Sequence, residues 1–136
     1  MGKSMSITSN DIHFAIDVAN NDYHNHTADT FRHWSFVYQK GRLLEWSRNK
    51  LNDPVGFERY GYQGKRHSLH AEALAMRKAY GLLDRRKPWV MLNIRLGAGK
   101  ELRNATPCRI CRSFIAACGC SECYFSIDGN IAKIDL

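Results

Sequence analysis

No stretch of this chain approaches the ~20 consecutive apolar residues that cross a bilayer. The first ten residues are polar where a secretion signal would carry an apolar core. The expectation is a cytoplasmic, intracellular chain with no membrane partner. Cysteine is odd in number, five in 136 residues, which excludes a fully paired disulfide framework. A chain of this length can bury roughly two-thirds of its unfolded surface without one. There is no internal repeat, low-complexity tract or linker, so a single domain spanning 1–136 is expected. Hydrophobic residues at 44% and charged residues at 24% exclude disorder over most of the length.

Acidic residues are also in short supply: 13 Asp and Glu face 20 Lys and Arg, a net charge of +7. The imbalance is local. Residues 1–30 carry −3 and residues 113–136 carry −2, which leaves +12 in between. Such a centre suits a polyanion (nucleic acid, a nucleotide or an anionic surface), with a merely solvated surface as the plain alternative.

The pattern along the chain predicts an α/β domain. Ile12, Ala15, Ile16 and Ala19 recur at helical spacing behind a cap at Ser9 or Asn10, and that helix should end near Asn20-Asn21. A hairpin follows, with strands at 34–38 and 43–47 around a turn at Gln39-Lys40-Gly41-Arg42. Trp34, Phe36 and Tyr38 share one strand face and read as core. Residues 51–68 form a long loop. A second helix is expected over 69–83, with Leu69, Ala73, Met76, Tyr80 and Leu83 in one stripe. A buried strand at 89–95, a polar loop at 96–106 and a third helix opened by Pro107 come next. Strands at 122–126 and 131–134 close the chain around Asp128-Gly129, and so short a turn makes that pair antiparallel. The sum is one five-stranded mixed sheet covered by helices in three layers.

Two short motifs carry chemistry. His70-Ala71-Glu72 opens the second helix and Pro107-Cys108-Arg109-Ile110-Cys111 opens the third. One imidazole and two thiolates make a three-ligand set for Zn²⁺ with a fourth position left for water. Cysteines three apart in a first helical turn share a face, and the helix N-terminus favours their thiolate form. Glu72, two residues from His70, cannot easily share its direction and is left for proton transfer. Cys118, Cys120 and Cys123 could supply a fourth, structural ligand, but they read as buried small hydrophobes.

Together, H-A-E and P-C-x-x-C in this order, each opening a helix, resemble the zinc-dependent cytidine deaminase superfamily over nearly the whole chain. The resemblance implies zinc on His70, Cys108 and Cys111, with Glu72 moving protons while water replaces the amine of cytosine. It implies that Asn49 contacts sugar or base and that the Ala71 backbone reads the base edge. The antiparallel final pair resembles the branch of free cytidine deaminases and toxin-type deaminases. Tyr60 and Tyr62, beside Arg59, Lys65 and Arg66, are candidates to stack and track a single strand, with Lys100 and Arg103 flanking the other loop. The favoured substrate is therefore cytosine in single-stranded nucleic acid. The alternatives are free cytidine, deoxycytidine or a nucleotide, and a non-catalytic nucleic-acid-binding member of the same fold. Assembly into a homo-oligomer is compatible with the sequence.

Overall fold

A computed structural model describes residues 7–25, 32–49 and 71–136. Helix α1 (Ser9–Asp22) continues into a 3-10 turn at Tyr23–Asn25. Strands β1 (Arg32–Gln39) and β2 (Arg42–Arg48) form the predicted hairpin. Helix α2 (Ala71–Ala79), strand β3 (Trp89–Leu96), a two-residue β4 (Leu102–Arg103) and helix α3 (Arg109–Ala117) follow. Strands β5 (Cys120–Ile127) and β6 (Asn130–Asp135) end the chain. No described helix is long and apolar enough to cross a membrane.

The sheet runs β2-β1-β3-β5-β6, with β4 paired to β3. It is mixed: β3 and β5 are parallel, every other pair antiparallel. Helices cover both faces. Trp34, Phe36 and Tyr38 of β1 and Val90, Leu92 and Ile94 of β3 pack against Ala15 and Ala19 of α1. Val37, Met91 and Cys123 face Met76 of α2 and Phe114 and Ile115 of α3. Each such fully buried side chain contributes ~1.5–3 kcal/mol by leaving water. The two alanines let α1 lie close to the large β1 aromatics.

The Asp128-Gly129 turn falls where expected, while the turn expected at 39–42 tightens to Lys40-Gly41, with Gln39 ending β1 and Arg42 opening β2. Lys40 and Gly41 have φ of 55° and 74°, and Asp128 and Gly129 of 24° and 84°, as a two-residue hairpin connection demands. The last pair is antiparallel, as the short turn required.

Several boundaries differ from expectation. The sheet has six strands, not five, because the expected loop at 96–106 folds back on β3: the Gly97 N–H donates to the Glu101 carbonyl at 2.9 Å and sets β4 beside the end of β3. Thr8, not Ser9 or Asn10, caps α1, in a reciprocal box with Asp11. Helix α2 ends at Ala79. Beyond it Gln39 clamps the turn, donating from Nε2 to the Asp84 and Lys87 carbonyls and accepting from the Asp84 N–H. Tyr80 and Leu83 still join the core, while Leu69 lies outside the described residues. Pro107 precedes α3 rather than opening it, and Cys108 is the cap. The strand expected at 122–126 begins at Cys120. Cys120 and Cys123 are buried and Cys118 half-buried, the packing role expected of all three.

Candidate active site

Glu72 in the first turn of α2 lies against Asn93 of β3 and against Cys111 in the first turn of α3. Ala71 and Glu72 begin α2 and both are buried, Glu72 to 2% exposure. Cys108 caps α3 from an extended backbone, and its Sγ accepts the Cys111 N–H at 3.4 Å. Cys108 is exposed at the surface and Cys111 is fully buried behind it. The Cys108 sulfur beside it, burial and the nearby Glu72 carboxylate all push the Cys111 thiol well up from its ordinary range. The two sulfurs and the acid of the two motifs, 36 and 39 positions apart in sequence, thus share one small volume.

Among the described residues, Glu72 is tied to the sheet through Oε2. Its Oε2 accepts from Asn93 Nδ2 at 3.0 Å, and His33 Nε2 lies 4.0 Å from the same oxygen. Its Oε1 is buried and accepts no hydrogen bond from a described residue. A buried acceptor without a donor costs roughly 1–3 kcal/mol, so a fold keeps one where a ligand or water will complete it.

Neither Ser35, Asn93 nor His33 stood out in the sequence. The available signal was a polar residue on the core face of an apolar strand. Asn93 shares its face of β3 with Trp89 and Met91, and it is fully buried. A polar group in that position must find partners.

No family model, no curated protein and no solved structure matches the chain. What the site can do is therefore read from its own side chains.

Of the expected zinc ligands, Cys108 and Cys111 come together and His70 lies outside the described residues, one position before α2 begins. Among the described residues no group of three or more metal-ligating side chains forms. The residues present nevertheless fit a zinc ion. The Cys108 and Cys111 side chains lie against one another, and the Glu72 carboxyl lies against Cys111. Such a cluster of acidic groups is neutralised by a divalent cation that favours sulfur.

Among the other expected residues, Asn49 is buried just beyond β2. Its Oδ1 accepts the His33 N–H at 3.1 Å, so that acceptor fixes the edge of the sheet beside Glu72. Arg103 sits on β4, exposed, and pairs with Glu101 at 2.9 Å. Its Cα partner on β3 is Arg95, whose own partner on β1 is His33. His33, Arg95 and Arg103 thus lie in register across β1, β3 and β4. Arg95 and Arg103 border a cavity of about 450 Å³ with Asn104 and Asp128. Lys100, in the turn before β4, sits with its Nζ 5.5 Å over the Tyr23 ring. Arg59, Tyr60, Tyr62, Lys65 and Arg66 lie outside the described residues.

Proposed function

We propose that the protein is a zinc-dependent hydrolytic deaminase that converts cytosine to uracil, with cytosine in single-stranded nucleic acid as its favoured substrate. The observation that carries this reading is Glu72: a buried carboxyl, tied through Oε2 to Asn93 and lying against Cys111 of the Cys108–Cys111 pair.

In this reading His70, Cys108 and Cys111 would hold the zinc, which when bound would lower the pKa of a water toward ~7. The chain does the rest. Glu72 takes a proton from the attacking water through Oε1 and passes it to the ring nitrogen beside the amine-bearing carbon. It then returns a second proton to the amine, which leaves as ammonia. One water is consumed, and uracil and one ammonia are formed. Burial of Glu72 keeps bulk water from competing for these protons.

The polynucleotide preference is supported by the +12 centre and by Arg95 and Arg103, which stand in register across β3 and β4 and border one cavity. The antiparallel β5–β6 pair supports the second reading, a free cytosine nucleoside or nucleotide, through the branch of the superfamily it resembles. Incubation with cytidine, deoxycytidine, their monophosphates, and single-stranded DNA and RNA, followed by uracil measurement, separates the two. Turnover of the single strands supports the first and turnover of the free compounds alone the second. No uracil from any of them rejects both.

A further inference from the structure

A buried polar chain links the two halves of the site. Ser35 Oγ donates to Asn93 Oδ1 at 2.7 Å. Asn93 Nδ2 donates to Glu72 Oε2 at 3.0 Å and leans toward the Ala105 carbonyl at 3.4 Å and Cys123 Sγ at 3.7 Å. Ser35 and Asn93 are both fully buried, and they are Cα partners across β1 and β3.

The orientation of the Asn93 amide is fixed by these partners. With Nδ2 and Oδ1 exchanged, Oδ1 would face the Glu72 oxygen and the Ala105 carbonyl, two acceptors. The Ser35 hydroxyl supplies the donor that Oδ1 needs. Ala105 lies three residues before Cys108, and its own N–H donates to the Ser126 carbonyl at 2.8 Å. One amide on the central strand thus touches the acid of α2 and the segment that carries the thiols of α3.

From this we infer that Asn93, oriented by Ser35, is the positioning residue that sets Glu72 in register with Cys108 and Cys111. It turns Oε2 toward the sheet and leaves Oε1 as the oxygen that works. Asn93 does not touch substrate; it acts through Glu72. The inference rests on the deaminase reading for its kinetic consequence and on the hydrogen bonds alone for its structural one.

The test uses the full chain with its metal. Misplacing a catalytic group by about 1 Å can cost ~10²-fold. Asn93→Asp, which sets a carboxylate against Glu72, should lower kcat about 100-fold, and Ser35→Ala about 10-fold, within that bound. KM should stay within about twofold and zinc content should not change, since neither residue binds substrate or metal. Ser35→Ala should cost nothing further in an Asn93→Ala background, because the hydroxyl acts only through the amide. Ser35→Ala removes one hydroxyl and keeps the amide, so it carries the test even if Asn93→Asp does not fold. Unchanged kcat in Ser35→Ala, or a loss confined to thermal stability, overturns the inference.

A second readout needs no substrate. In ¹⁵N-labelled protein the Asn93 side-chain amide protons should exchange slowly, and faster in Ser35→Ala and in Glu72→Ala. If the wild type forms no uracil but this protection behaves as described, the deaminase reading fails and the positioning pair stands. If the wild type turns over while kcat and protection are unmoved in Ser35→Ala, the pair fails and the reading stands.

Discussion

Removing the Asp22 carboxylate should loosen the edge of the sheet that borders the site. Asp22 ends α1 and is 7% exposed. It accepts from the indole N–H of Trp34 at 2.8 Å, from Arg48 Nε at 2.6 Å, and from Asn25 at 3.1 Å. In Asp22→Ala the Trp34 N–H, on a fully buried side chain, loses its acceptor, at about 1–3 kcal/mol. Arg48 is about a third exposed and can turn to water, so its lost pairing adds only ~0–1 kcal/mol. The total centres on roughly 2–3 kcal/mol, or a fall in Tm of about 8–12 °C for a chain of this size. Asp22→Asn keeps an acceptor for Trp34 and should recover more than half. The acid limb follows the same logic. Burial raises the Asp22 pKa, but hydrogen bonds from Arg48, Trp34 and Asn25 outweigh it, and the net shift is below the ordinary 3.8. Its contribution is therefore complete above the unfolded value and is lost as pH falls through the lowered folded one. Thermal and urea melts from neutral pH to below 3.8 measure both effects. A loss under about 0.5 kcal/mol in Asp22→Ala, the size of an ordinary surface substitution, refutes the reasoning.

Glu72→Ala should keep fold and zinc but lose ~10²–10⁴-fold in turnover, the usual share of a general acid–base group; full activity in a uracil assay would remove Glu72 from the mechanism. Oligonucleotide affinity should fall steeply with salt, by about −0.7 in log–log slope per phosphate neutralised. Lys65→Ala with Arg66→Ala should flatten that slope, while Tyr62→Ala should weaken binding without changing it. A flat, weak titration would instead leave the basic centre as a soluble surface.

The local grammar of the fold was legible because its signals are local. Ile12 through Ala19 announce a helix, Trp34, Phe36 and Tyr38 a strand face, and Asp128-Gly129 its turn, while the turn read at 39–42 proves two residues shorter. The two short motifs single out Glu72 and the cysteines, and the fold brings Glu72, Cys108 and Cys111 together. The supports of the site were not legible, because they join residues far apart in the chain. Ser35 meets Asn93 across 58 positions and Asn93 meets Glu72 across 21, with no spacing rule to reveal either. Asp22, an ordinary helix-end acid in the sequence, becomes a clamp only when Trp34 and Arg48 reach it. Strand β4 is two residues long and leaves no periodicity to read. Cys108 as a cap, rather than a residue inside the helix, depends on a backbone angle that spacing alone does not specify.

The most direct test of the central claim is metal content per chain in the wild type and in His70→Ala, Cys108→Ala, Cys111→Ala and Glu72→Ala, purified side by side. Three protein ligands and one open position predict one zinc ion per chain in the wild type and in Glu72→Ala. The three ligand variants should retain almost none, and a chelator that strips the wild type should abolish uracil formation until zinc is restored. A wild type without zinc, or ligand variants that hold as much as the wild type, would contradict the account.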